Sequence, residues 1–255
     1  MVIRIAHGRT ACILLGVTFD QAGFDIRCEW GLAGLREIGA DSDVVVIVDV
    51  LSFTTAVDIA TARGAQVFPY PLKGASAVEY AGSLHANLAS VDRGAGVSLS
   101  PASLGNIPAG SRWVLPSPNG AALAFAADHP IVLAACLRNA TAVAQTAARL
   151  GSTIAVIPAG ETWATGEFRP SLEDWIGAGA VIAACPGRRS PESAIAAAAF
   201  DCVRGDLLGA LQGSGSGKEL IERGFGRDVE LASELNVSMT APRLVNRAFV
   251  SVNAQ

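Results

Sequence analysis

Charge is scarce in this 255-residue chain: Asp, Glu, Lys and Arg make up 16% of it, and 19 Lys and Arg against 23 Asp and Glu leave a formal net charge of −4. The Lys and Arg are scattered without a basic cluster, so the electrostatic footprint of a nucleic-acid binder is missing and no such partner is expected. Histidine is scarcer still. His7, His85 and His129 stand far from one another and from Cys12, Cys28, Cys136, Cys185 and Cys202. That spacing excludes a clustered Cys/His zinc site. Five thiols without a CxxC pair read as buried cysteines of a reducing compartment, the cytoplasm. No apolar run reaches the roughly 18 residues of a membrane span, so no membrane partner is expected. Two glycine signatures of nucleotide binding are absent as well. The stretch 49–55 holds no glycine where a dinucleotide fold needs GxGxxG. GSGSGK at 213–218 fails the Walker spacing, because Gln212 stands for its first glycine and Glu219 for its Ser/Thr, and it reads as a flexible turn.

What is abundant is apolar residue, 51% of the chain, which excludes disorder for the body and provides a large core. The N-terminal MVIRIAHGRTACILLGVTF has two arginines before a short apolar stretch but no convincing cleavage site before Asp20. Residues 1–22 therefore read as a poorly ordered extension and residues 23–255 as one α/β domain.

Within that domain apolar runs alternate with punctuated helices. Residues 44–50, VVVIVDV, are the clearest strand, and Ser52 or Thr54 caps a helix to Arg63 with Gly64 beyond its end. A strand at 66–69 and a helix over 75–89 follow. Residues 90–110 form a loop of about 20 residues, a length that goes with a lid, a binding loop or a surface excursion. Strands at 112–116 and 131–136 lead into helices reaching Ala127 and Leu150, the first opened by Ser117-Pro-Asn119-Gly120 and the second by Arg138-Asn139. Residues 154–157 read as a strand buried on both faces, with a helix from Ser171 to Cys185 behind it. Helices at 191–203, 207–212, 218–223 and 228–235 come next. Strands at 236–239 and 244–250, split by Ala241-Pro242, finish the chain, one of them an edge strand.

Candidate functional residues gather at strand exits, the usual ligand rim of an open α/β sheet, and a mainly parallel sheet would bring those exits together. Asp49 leaves a buried strand, where a charge is costly unless it is paired or bound to a cation; the plainer reading is a carboxylate bonded to the following turn. Asn119-Gly120 and Asn139 stand at helix starts, whose free N–H groups suit an anion such as phosphate, though Asn is also an ordinary N-cap. Glu173 and Asp174 lie in a first helical turn with Glu161 one loop away, the hard oxygen donors that Mg2+ takes. Ser171, three residues before Asp174, also spells a short capping box. Arg169 among these carboxylates suggests an anion bridging arginine and metal.

In order along the chain, DVLSFTT (49–55), LGNIP (104–108), SPNGAAL (117–123), LRNATAVA (137–144), AGE (159–161), SLEDWIGAG (171–179) and GFGRDVELA (224–232) resemble the motifs of the 2-phosphosulfolactate phosphatase family, over about residues 40–245. The resemblance implies a three-layer α/β/α fold with a mainly parallel or mixed sheet, probed below. It also implies a homodimeric, Mg2+-dependent phosphomonoesterase that converts 2-phosphosulfolactate, a small anionic substrate, to 3-sulfolactate and phosphate. Matching positions put Asp49, Asn119, Gly120, Asn139, Glu173 and Asp174 in the pocket. The expected roles are catalysis for Asp49, Glu161 and Asp174, and metal binding for Asp49, Glu173 and Asp174. Substrate binding falls to Ser117, Asn119, Gly120, Arg138, Asn139 and Arg169.

Three departures bear on this. Ser52 stands where the family usually has arginine, Ser103 where it has aspartate, and Pro116-Ser117-Pro118 where it has a threonine-rich turn. A bidentate anion contact is hard to replace, so Arg138 or Arg169 is expected to compensate. Asp49 has Leu51 two residues on, not the acid/base aspartate of haloacid-dehalogenase-type phosphatases. That favours attack by water over an aspartyl-phosphate. The alternative is a catalytically silent relative that binds an anionic metabolite.

Overall fold

The computed structural model describes residues 19–253. In chain order the strands are β1 Ile26–Cys28, β2 Val44–Val48, β3 Gln66–Tyr70, β4 Asn87–Leu88, β5 Arg112–Pro116, β6 Val132–Ala135, β7 Ile154–Pro158, β8 Glu161–Thr162, β9 Phe168–Arg169, β10 Thr240–Val245 and β11 Ala248–Asn253. The helices are α1 Gly31–Gly34, α2 Phe53–Ala62, α3 Ala75–Ser83, α4 Gly120–Ala126, α5 Ala140–Leu150, α6 Leu172–Ala184, α7 Pro191–Val203, α8 Leu207–Gly213, α9 Gly215–Glu222 and α10 Gly226–Ser233.

Side-chain alternation on β2 explains the layers. Val44, Val46 and Val48 point to one face and join a core with α5, α6 and α7. Val45 and Ile47 point to the other and join a core with Phe53, Val57 and Leu123 of α2 and α4. The expected three-layer α/β/α architecture is therefore present. The sheet order is β1-β7-β2-β6-β10-β11-β3-β5-β4. β1, β7, β2 and β6 are mutually parallel, as are β3, β5 and β4. Between these blocks lies the antiparallel β10–β11 hairpin, antiparallel also to β6 on one side and β3 on the other.

That hairpin corrects two expectations. Pro242 does not split two strands; it lies inside β10, and the turn is Asn246-Arg247, both with positive φ. Nor do all strand exits share one rim, because a single antiparallel hairpin between the blocks reverses the second. The chain after β5 nevertheless reaches the β2 exit, where the Gly120 amide donates to Asp49 Oδ2 at 2.7 Å.

Other differences are local. The helix expected over 75–89 ends at Ser83 and is followed by β4, whose two residues are too few to show a period. β1 went unread for the same reason, at three residues. The supposed flexible turn at 213–217 is largely helix: the Ser214 hydroxyl caps α9 by accepting from the Gly217 amide at 3.0 Å. Of the N-terminal extension, residues 1–18 lie outside the described residues. Gln21, however, is docked, its side chain both donating to the Cys28 carbonyl and accepting from the Cys28 amide at 3.0 Å.

Candidate active site

The exits of β2, β5 and β7 converge on one cavity of about 390 Å³. Asp49, the residue after β2, is 4% exposed. Its Oδ1 accepts from the Phe53 amide at 3.0 Å and its Oδ2 from the Gly120 amide at 2.7 Å, so one carboxylate ties the start of α2 to the start of α4. Gly120 has to be glycine: a Cβ there would lie 2.6 Å from both Asp49 Oδ2 and the Phe53 ring. Burial, then the charge of Glu161, raises Asp49 from 3.8 to about 6.

Asp174 forms the second tie. Its Oδ1 accepts from the Val50 amide at 2.7 Å, and its Oδ2 from the Gly160 amide at 2.9 Å and the Ser171 hydroxyl at 2.6 Å. The expected capping box is thus replaced: the Ser171 hydroxyl donates to the carboxylate itself, and Asp174 joins the β2 and β7 exits. Burial, then the Asp49 and Glu173 charges, pushes it well above the ordinary aspartate range. Glu173, 2% exposed, leaves Oε2 buried without a hydrogen-bond partner.

Glu161 and Arg169 face each other across the β8–β9 ribbon and both line the cavity. Burial raises the Glu161 carboxyl, against a hydrogen bond from the Asn119 side chain and the charge of Arg169, which lower it. Arg169 Nη2 donates to Ser216 Oγ at 3.2 Å, and its guanidinium lies 5.3 Å from the Trp163 ring centre. Ser117 and Asn119 line the same space.

Two expected ligands are elsewhere. Arg138 turns to Asp58, at 3.0 Å, and to Glu234 and the Leu231 carbonyl. Asn139 is fully buried, its Oδ1 accepting from the Cys136 amide at 2.8 Å and its Nδ2 donating to the Ala134 carbonyl at 3.4 Å. Both side chains serve the fold around the β6 exit; Asn139 stands at the N-cap position of α5, but its side chain caps none of that helix's amides and bonds back to Cys136 and Ala134 instead. Arg138 therefore does not compensate for Ser52. Gly120 offers its amide to Asp49, not to a ligand.

Sequence reading missed the other cations. Lys73, Arg93 and Arg223 line the cavity together with Arg169. Arg93 comes from the long loop: Nη2 donates to Ser52 Oγ at 3.1 Å, and Nη1 to Asp228 Oδ2 at 3.1 Å. The unusual length of the loop was the only signal.

Carboxylates below and cations around suit an anion together with a divalent cation. Among the described residues, though, no three His, Cys, Asp or Glu side chains form a ready metal cluster. The expected set of Asp49, Glu173 and Asp174 is not preformed, because backbone amides already occupy both oxygens of Asp49 and of Asp174. Mg2+ needs less: one or two protein carboxylates, completed by water and substrate phosphate. The unpartnered Glu173 Oε2 has the chemistry for that role; the residue lies behind the cavity lining, close enough for its charge to act on Asp49 and Glu161.

The chain matches the family profile of 2-phosphosulpholactate phosphatase over residues 35–247. It is 32% identical over 216 residues to a probable 2-phosphosulfolactate phosphatase of Carboxydothermus hydrogenoformans, covering 80% of this chain and 87% of that protein. A probable 2-phosphosulfolactate phosphatase of Gloeobacter violaceus is 32% identical over 215 residues, covering 79% of this chain and 88% of its own length.

Proposed function

Because the chain belongs to the 2-phosphosulpholactate phosphatase family, we propose that it is a Mg2+-dependent phosphomonoesterase converting 2-phosphosulfolactate to 3-sulfolactate and phosphate. The observation that carries this reading is the cavity, where Lys73, Arg93, Arg169 and Arg223 surround the carboxylates Asp49 and Glu161. A substrate bearing phosphate, carboxylate and sulfonate needs several cations, and a phosphoryl group attacked by water needs a base beside it.

Glu173, with its unpartnered Oε2, would hold the Mg2+ ion together with water and substrate phosphate, and the ion would neutralise phosphoryl oxygens. Glu161 is half-buried at the cavity wall with its carboxyl raised, and it takes the proton from the attacking water. Asp49, held by two amides, presents a fixed negative edge that orients the water and keeps the cation side of the cavity in place. Asp174 acts through structure, holding the strand exits that carry Asp49 and Glu161. Arginine N–H groups receive the charge that gathers on the phosphoryl oxygens.

The cytoplasm and a homodimer belong to the same reading. The free, buried thiols of Cys28, Cys136 and Cys185 support a reducing compartment; Cys202, expected to be buried, is exposed, and Cys12 lies outside the described residues. Among the described residues no helix is long and apolar enough to cross a membrane.

Phosphate release from a panel of phosphorylated hydroxy acids, with Mg2+ and with EDTA, tests the proposal. Metal-dependent release that favours 2-phosphosulfolactate is expected. Release only from other esters would overturn the substrate, and release from none would leave a silent anion binder.

A further inference from the structure

Four cations line the cavity, but they are not equivalent. Lys73 and Arg223 are exposed, and Arg223 pairs with Glu219 one helical turn away. Arg169 lies over Trp163 at the β8–β9 ribbon. The Arg93 side chain is 11% exposed and its guanidinium is held at several points. Nη1 reaches Asp228 Oδ2 and the Leu99 carbonyl, Nη2 reaches Ser52 Oγ, and the Phe225 ring centre lies 6.0 Å away.

The anchor is itself built for the purpose. Asp228, on α10 and 1% exposed, receives the Ser100 hydroxyl at 2.6 Å, the Ala102 amide at 3.1 Å and Arg93 at 3.1 Å. One buried carboxylate therefore gathers three donors from the long loop and sets the loop's only arginine in the cavity. Ser52 lies three residues after Asp49, so the guanidinium head is on the Asp49 side of the cavity, where the reacting group has to be. A guanidinium has five N–H donors, and three of the five are accounted for by Asp228, Leu99 and Ser52. That leaves two for a ligand.

We propose that Arg93 is the clamp for the substrate's phosphoryl group and that Asp228 is its positioning residue, with the exposed Lys73 and Arg223 left to the remaining anionic groups. This rests on the phosphatase reading above. It adds which of the four cations meets the phosphorus centre, and it makes the 90–110 loop part of the binding site.

The test is binding of inorganic phosphate, measured by calorimetry in Mg2+, together with kcat and KM for 2-phosphosulfolactate and for a monoanionic-leaving-group ester such as p-nitrophenyl phosphate. Arg93→Ala should weaken phosphate binding at least tenfold and lower kcat/KM for both esters by about 100-fold, as loss of a preorganised donor to a phosphoryl group does. Arg93→Lys keeps the charge beside Asp228, guards against misfolding, and should recover part of the phosphate affinity. Asp228→Asn should raise KM more than it lowers kcat, with phosphate binding weakened in step. Wild-type phosphate affinity in Arg93→Ala, or a loss confined to 2-phosphosulfolactate, would overturn the clamp. If the wild type hydrolyses nothing but binds phosphate through Arg93, the clamp stands and the hydrolase reading falls.

Discussion

Asp49 Oδ2 accepts a 2.7 Å hydrogen bond from the amide of Gly120, 71 residues further along the chain. This contact unites two parallel blocks that run in opposite directions, and it leaves no room for a side chain at position 120. Gly120→Ala should therefore displace Asp49 or Phe53, costing about 1–3 kcal/mol in a denaturant melt and most of the turnover. Wild-type kcat in this variant would show that Asp49 does not need its position.

Asp49→Asn removes the fixed charge and turns one accepting oxygen into a donor facing an amide. Turnover should fall at least 100-fold, within the range for a residue acting on the proton or charge of the reaction. Inorganic phosphate should still bind within a few-fold of wild type in calorimetry. Undiminished turnover would remove Asp49 from the mechanism.

The raised Asp49 carboxyl has a stability consequence with a definite sign. Folded Asp49 holds its proton up to about pH 6, whereas the unfolded residue loses it near 3.8. Between these values the native state binds more protons, so in EDTA its stability falls as pH rises from about 4 to about 6. The interval of about 2.2 pH units, at about 1.4 kcal/mol each, caps the effect at about 3 kcal/mol. Asp174 is raised also and adds in the same direction. Thermal melts across this range should show the decline, and Asp49→Asn should reduce it, leaving the share of Asp174. Mg2+ should raise the melting temperature more at pH 7.5 than at pH 5, since at pH 5 the protonated Asp49 leaves less negative charge beside the cation.

Two arginines that look alike in sequence should behave differently. Arg138→Ala leaves Asp58, 1% exposed, with only the Ser238 hydroxyl, and should cost about 3 kcal/mol while sparing KM. Arg169→Ala removes a cavity cation bonded to Ser216 and should raise KM several-fold with stability within about 0.5 kcal/mol. Paired melts and steady-state kinetics decide it.

The long elements were legible because their signals are local. VVVIV marks β2, and Ser190-Pro191 starts α7 with the Ser190 hydroxyl accepting from the Ser193 amide. β1 and β4 are too short for periodicity, and Pro242 looks like a breaker because proline donates no N–H to a ladder, although it pairs with Ser251 inside the hairpin. The site divides the same way. Asp49, Ser117, Asn119, Glu161 and Arg169 were found from strand exits, and the structure brings all five to one cavity. Arg138 was misassigned because residue order does not reveal that Asp58 and Glu234 lie beside it. Asp174 reads in sequence as a metal-binding or catalytic carboxylate, or as the capping-box partner of Ser171; Ser171 does donate to it, while its other partners, Val50 and Gly160, lie at strand exits that residue order does not bring beside it. Arg93 had no local mark at all, since its place depends on Asp228, 135 residues away.

The β10–β11 hairpin joins the two parallel blocks, yet it follows both of them in the chain. As the polypeptide is made, Asp49, Asn119, Glu161 and Asp174 all emerge before the strands that set the blocks in register. A growing chain thus carries every reactive group of the cavity while lacking the member that aligns them. The sheet that positions the cavity is therefore complete only once residues 240–253 have joined it.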